Sequence, residues 1–350
     1  MNREIKRKFI NNSWKKILMV FSILLTFTLL VSCGGKVDIE KAFAEELTKA
    51  TSYKVEGVME SFYDNGGRKK NDFSVLYKSP DFIKVVIKSE DKTDKQIILK
   101  NADGVYILIP AVNKNFKIQS SWPDNASYPY LLQSLAKDIA NEAEIIRTED
   151  ENTVTIETKT KMHADAVPVR QNIVFDKVTE LPIEVITYDE KDNVYIRTVF
   201  TNIDLAYNVA DDEFDLDNSM SSVRLEYTNP LTYENRGISY PSFVPSGYKL
   251  NSERTTKNTD ETEVLAIFKY KGEEDAGFTI VQEYINDSET SKYQEEKAEI
   301  ILVLGNLGIL KANTLLTIYN GVEYTVASED LEAFDMIKIV QSYMYTQTEK

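Results

Sequence analysis

Cysteine is all but missing: the 350-residue chain has one, Cys33. A single cysteine excludes an internal disulfide and a thiolate zinc site, and it leaves no thiol for catalysis once that residue is itself modified. Histidine is equally scarce, with His163 alone, so no metal motif built on two histidines is possible. No Gly-x-Ser-x-Gly elbow accompanies that histidine, and within Lys161-Met162-His163-Ala164-Asp165 it reads as an exposed loop residue. Gly34-Gly35-Lys36 lacks the spaced upstream glycine and the preceding strand of a phosphate loop, and Gly305-Asn306-Leu307-Gly308 reads only as a turn. Positive charge is also short. The formal net charge is -15, which excludes the broad basic face that nucleic acid requires.

What is present begins with an address. Arg3, Lys6, Arg7, Lys8, Lys15 and Lys16 form a basic segment before an uncharged run of 15 residues, Ile17 to Val31. That run is shorter than the roughly 20 residues of a membrane-spanning helix. It leads into Leu30-Val31-Ser32-Cys33, the residue types that lipoprotein signal peptidase requires, with Cys33 as the thiol that takes up diacylglycerol. The expectation is a signal peptide over 1–32 and a lipid anchor on Cys33 at the outer face of the cytoplasmic membrane. Two or three acyl chains, at about 0.8 kcal/mol per buried methylene, hold a protein where one does not. Removing residues 1–32, with six basic residues and one acidic, leaves a mature charge of -20. Such a body stands off anionic headgroups.

From Val37 to Thr51, Ile39, Phe43, Leu47 and Ala50 recur at helical spacing among charged residues, predicting an amphipathic helix. From Ser52 the period falls to two. Ile83, Val85 and Ile87 alternate with Lys84, Val86 and Lys88, and Gln171, Ile173 and Phe175 with Asn172, Val174 and Asp176. Turn residues at Asp64-Asn65-Gly66-Gly67, Asn101-Ala102-Asp103-Gly104, Glu149-Asp150-Glu151-Asn152 and Glu190-Lys191-Asp192-Asn193 imply antiparallel neighbours. Val105 to Ile109 is apolar on both faces and needs cover on both. A second helix over Pro129 to Glu142, with Leu131 and Leu135 on its apolar stripe, is suited to lie in a curved sheet. Val75, Tyr77, Ile83, Val85 and Ile87 are the candidates to face it and, with Leu131 and Leu135, to line a ligand-binding concavity.

The pattern loosens between Asp211 and Tyr240, which predicts a first domain over 33–217, a linker over 218–237 and a smaller α+β domain over 238–350. In the latter, Val264 to Tyr270 and Gly277 to Tyr284 read as strands, and Thr314 to Tyr319 pairs with Glu323 to Val326 around Asn320-Gly321. A closing helix is expected with Ser328 as N-cap and Leu331, Phe334, Ile337, Val340 and Met344 on one face. The acidic run Asp211 to Asp217 has alternating oxygen ligands, but lacks the glycine and distal glutamate of a calcium loop and reads as a solvated linker. No metal, cofactor or catalytic constellation is expected. A glycosidase-like pair among Asp189, Glu190, Asp211 and Asp212 is the enzymatic alternative.

Several of these stretches resemble the LolA-like lipoprotein-carrier superfamily, which includes RseB-type sigma regulators. They are Phe73 to Lys84, Asp103-Gly104-Val105-Tyr106 leading to Pro110 and Asn115-Phe116, Gln171 to Asp176, Leu181-Pro182-Ile183, Phe200-Thr201-Asn202-Ile203 and Asp212-Glu213-Phe214. The C-terminal part, with Pro241 to Tyr248 and Tyr319 to Tyr324, is similar to the small domain that follows this fold in Gram-positive sporulation and germination lipoproteins. The resemblance implies a mainly β, α+β protein: an unclosed antiparallel β-barrel with covering helices, then a smaller α+β domain. It implies a non-enzymatic envelope protein that binds an acyl chain or a partner envelope protein, or that senses for a membrane regulator. A permanent tether at Cys33 departs from a shuttling carrier.

Overall fold

Alternation of apolar and charged residues from Ser52 onward folds as strands. The structure, a computed structural model, describes residues 38–63, 66–90, 94–224, 238–257, 263–285 and 292–345. Leu30, Val31, Ser32 and Cys33, with the whole expected signal peptide, lie outside these residues, as do 225–237 of the expected linker. The chain divides into two compact units, Met1–Ala42 and Phe43–Lys350. Of the first, only the start of helix α1 (Ile39–Lys49) is described.

In the second unit the strands run β1 (Ser52–Phe62), β2 (Arg68–Lys78), β3 (Phe82–Ser89), β4 (Lys95–Asn101), β5 (Gly104–Ile109) and β6 (Lys114–Gln119). Helix α2 (Leu132–Ala140) follows, then β7 (Ile146–Glu149), β8 (Thr153–Thr160), β9 (Val169–Asp176), β10 (Pro182–Tyr188), β11 (Val194–Asp204) and helix α3 (Leu216–Arg224). The rest of the chain forms β12 (Lys249–Lys257), β13 (Glu263–Lys271), β14 (Gly277–Tyr284), β15 (Lys292–Lys297), β16 (Glu299–Val303), β17 (Asn306–Lys311), β18 (Thr314–Tyr319), β19 (Val322–Ser328) and helix α4 (Ala333–Tyr345). The first sheet has the order β15-β6-β5-β4-β3-β2-β1-β11-β10-β9-β8-β7, and the second β12-β13-β14-β19-β18-β17-β16. Neither closes. The fold is mainly antiparallel β, an unclosed sheet with covering helices followed by a smaller α+β part, as expected. One pairing breaks the rule: β15 joins the edge strand β6 in parallel before the chain passes into the second sheet as β16.

One face of the first sheet is buried throughout. In β1, Tyr53, Val55 and Met59 point inward while Lys54, Glu56 and Glu60 do not. Gly57 lies in the same strand at a register shift, where a Cβ would come 2.3 Å from Val199 O and 2.6 Å from the Phe73 ring, so only glycine fits. Segment 120–131 and α2 cover this face with Trp122, Tyr130, Leu131, Leu132 and Leu135, all fully buried. Phe43 of α1 meets Phe175 edge-on at 5.4 Å.

Strands β4 and β5 are buried on both faces, as the apolar run Val105 to Ile109 requires. Their second face, with Ile97, Leu99, Tyr106 and Leu108, packs against Val209, Phe214, Leu216 and Met220. Thus the acidic run is not a solvated linker: Asp211–Phe214 is a 3-10 turn, and residues 218–224, expected as linker, belong to α3. Lys78 pairs with Asp211 at 2.6 Å and Lys84 with Glu213 at 2.9 Å, while Asp215 caps α3 by accepting from Asn218 N at 2.8 Å. No cluster of three or more metal-binding side chains occurs among the described residues.

The second sheet buries Phe268, Ile280, Tyr324 and Val326 against α4, whose inward face is Met336, Ile337, Ile339, Val340, Tyr343 and Met344. Asn320 and Gly321 have φ of 49° and 71°, the positive pair that a tight two-residue hairpin needs. Two helix expectations are corrected. Ser328 ends β19 and its hydroxyl accepts from Asp330 N and Leu331 N, making a turn ahead of a helix that starts at Ala333. Phe334 points outward at 39% exposure, because at 3.6 residues per turn it lies about 120° around the helix from Val340 at the centre of the buried stripe.

Polar side chains join the two sheets. Lys114 and Glu323 form a buried pair at 2.6 Å, Gln96 donates to Ile318 O and accepts from Leu307 N, and Lys69 donates to Asn306. Removing either partner of the Lys114–Glu323 pair would leave an uncompensated buried charge.

Candidate functional site

The residues expected to line a concavity do share one face. Val75 stands opposite Val85, Tyr77 opposite Ile83 and Phe73 opposite Ile87 in the β2–β3 register. Val75, Ile83, Val85 and Ile87 are buried, as are Leu131 and Leu135. Tyr77 is half-buried, stacked on Tyr53 at 4.9 Å, with its hydroxyl donating to Pro80 O. Phe73 contacts Tyr130 at 6.2 Å and Phe200 at 6.0 Å. At this end the chain's own side chains fill the face as a core.

The other end of the same face is polar. Across five strands, Ser61 stands opposite Ile196, Ile196 opposite Thr187, Thr187 opposite Gln171, and Gln171 opposite Thr158. Gln171 Nε2 donates to Thr158 Oγ1 at 3.0 Å and to Asp138 Oδ2 of α2 at 2.7 Å, and Ser127 donates to the other oxygen of Asp138. Burial pushes the Asp138 carboxyl up to about 6, against the pull of those two hydrogen bonds.

Beyond this polar end opens a cleft of about 1580 Å³, walled by the first sheet on one side and by the second sheet and α4 on the other. Its first wall holds Phe62, Asn125, Met162, His163, Val167, Val194 and Tyr195, and its second Glu299, Lys311, Leu331, Phe334 and Ile337. Val167, Val194 and Phe334 are 64%, 37% and 39% exposed, so apolar side chains from three separate elements meet solvent there. Glu299 ties the walls together, accepting from Asn125 Nδ2 at 3.0 Å and Ala164 N at 2.8 Å, while Tyr128 donates to Ile300 O.

His163, expected as an exposed loop residue, is half-buried in this wall. Burial lowers its pKa, with Glu299 and Asp165 opposing, so it is neutral near pH 7. The four carboxylates of the enzymatic alternative are not gathered: Asp189 and Glu190 line the cleft, Asp211 is bonded to Lys78, and Asp212 sits in the 3-10 turn. Partial burial of Asp189 opposes its ionisation. Hydrogen bonds from Asn193 and Lys191 outweigh that and hold it below the usual carboxylate range, the wrong direction for a general acid. The residues missed from sequence are those of the cleft; Val167 and Val194, apolar in or beside loops of otherwise polar residues, were the available signal.

No family model matches the chain. Over 331 residues it is 28% identical to the sporulation protein YdcC of Bacillus subtilis (strain 168), a match that spans 94% of this chain and 96% of that one. Among solved structures, it is similar to a chain of the MucA/MucB complex of Pseudomonas aeruginosa, at 13% identity over 87% of this chain and 98% of that one, with a TM-score of 0.32. It is also similar to a LolA superfamily protein of Nitrosomonas europaea, at 10% identity over 51% of this chain and 98% of that one, with a TM-score of 0.30.

Proposed function

We propose that this chain is a non-enzymatic envelope lipoprotein, anchored through acylated Cys33, which holds an extended segment of another envelope protein in the cleft between its two sheets during sporulation. The observation that carries the reading is the cleft itself, with Val167, Val194 and Phe334 exposed on walls drawn from distant parts of the chain. Similarity to a sporulation protein along nearly the whole length supports the process. The lone cysteine directly after Leu30-Val31-Ser32 supports the anchor. An acyl ligand on the covered face is the weaker alternative, because Leu131, Leu135 and Tyr130 already fill that face.

Two experiments test the two halves. Labelled palmitate should enter the wild-type protein and not Cys33→Ala; equal labelling of both would remove the anchor from the reading. The purified chain should retain a partner from sporulating-cell membranes, and Phe334→Asp with Val167→Asp should reduce recovery of that same partner at least about tenfold, about 1.4 kcal/mol or more. Unchanged recovery would place binding elsewhere.

A further inference from the structure

A buried carboxyl with no cation beside it is costly to ionise, so the groups bonded to it feel its charge state. Asp138, near the end of α2, is 8% exposed, and no ion pair joins it among the described residues. The charged groups that act on it are Lys137 and Glu142, from its own helix and the turn beyond, and Lys137 Nζ donates instead to Asp124 O at 2.6 Å. The elements packed against it contribute neutral groups: Gln171 of β9, with Thr158 of β8 behind it, and Ser127 of the covering segment.

Ser127 lies at the joint of the cleft. Its backbone N donates to Lys161 O at 2.9 Å and its hydroxyl accepts from Lys161 N at 3.3 Å, which fastens the covering segment to the start of the loop 161–168. Residues on either side of it reach the second wall, Asn125 donating to Glu299 and Tyr128 to Ile300 O. From the loop, Ala164 N donates to the same Glu299 oxygen that Asn125 uses. The backbone N of Tyr128 is in turn held by Ser134 Oγ of α2 at 2.8 Å.

We propose that Asp138 is a proton switch on this joint. With the carboxyl protonated, α2, residues 125–128 and the loop stay packed, and Glu299 holds the second wall to the first. When it ionises, the charge draws α2 and Ser127 toward water and the joint loosens, so the cleft is tight in mild acid and looser near neutrality. The direction follows from the cost: the packed joint disfavours the charge and the open one does not, so loss of the proton shifts the balance toward the open one. As a control on partner binding the switch rests on the reading of the cleft given above, but the joint can be measured with no partner present.

Hydrogen exchange of the full chain in detergent, followed by mass spectrometry at pH 5.5 and 7.5 and corrected for the intrinsic rate, reads the joint directly. With the carboxyl at about 6 when packed and 3.8 when open, protection of peptides covering 125–128 and 161–168 should fall about twentyfold from the lower pH to the higher. At both pH values it should stay below the protection of β14, which reports global unfolding. Asp138→Asn should keep β14 protected and abolish the fall. Ser127→Ala, which leaves the carboxyl but removes its link to the loop, should lower protection of 161–168 at pH 5.5 and shrink the fall there. His163 titrates in the same loop, facing Glu299 and Asp165, so a fall that persists in Asp138→Asn would assign the switch to His163 and overturn the proposal. Equal protection at both pH values in the wild type, or protection of the joint equal to that of β14, would overturn it too. A failure here leaves the recovery of a partner through Phe334 and Val167 to be judged separately.

Discussion

The two ends of one buried face obey different rules. At one end Val75, Ile83, Val85 and Ile87 share a buried face with Leu131 and Leu135 on the covering segment, and the buried Tyr53 hydroxyl there donates to Gln133 of α2. At the other, strands of the same sheet turn Ser61, Thr187, Gln171 and Thr198 inward. The first end contributes stability through burial and packing. The second buries polar side chains, which costs free energy unless they bond to one another, as Gln171 does with Thr158 and Asp138.

Substitutions can sharpen that contrast. The largest effect is expected at the apolar end, where Ile83→Ala or Leu135→Ala should lower unfolding free energy by about 2–5 kcal/mol in a denaturant titration. A loss below about 1 kcal/mol would mean that this end is not a packed core. Next comes Asp138, whose carboxyl is held at about 6 against an ordinary 3.8. The folded state therefore binds its proton more tightly than the unfolded chain. The stabilisation is complete below pH 3.8 and disappears as pH rises through 6, a change on the order of 3 kcal/mol. Asp138→Asn should flatten the stability profile between pH 4 and 6, with Gln171 turning its amide to accept from the new one; an unchanged profile would assign the proton elsewhere. The smallest effect, opposite in sign, belongs to Thr198→Val. Removing a buried hydroxyl that has no partner among the described residues should raise stability by about 1 kcal/mol, whereas a loss would show that the hydroxyl is bonded.

Which of these features were legible in the sequence follows from the range of each signal. Period-two alternation exposes β3 and β9, and Asn320-Gly321 exposes its hairpin, because each depends on residues a few positions apart. The start of α4 was misplaced for a similar reason: Ser328 has capping chemistry, and only the pairing of β19 through Ser328 shows that the strand has not yet ended. The acidic run after Ala210 looks like linker because its organisers, Lys78 and Lys84, are more than 120 residues away. The polar rows were hidden by composition. A serine or threonine at an alternating position is compatible with either face, so inward Ser61, Thr187 and Thr198 leave no trace in the pattern. The cleft has no local signature at all, since its walls meet only when two sheets dock through Lys114, Glu323 and Gln96.

The central claim, that the cleft between the sheets is where a partner is held, is tested most directly by photo-crosslinking in sporulating cells. A crosslinking residue is placed singly at Phe334, at Val167, or at Val178, which is 89% exposed and lies outside the cleft. The account predicts one shared adduct from Phe334 and Val167 and none from Val178. The same adduct from all three positions, or none from the two cleft positions, would contradict it.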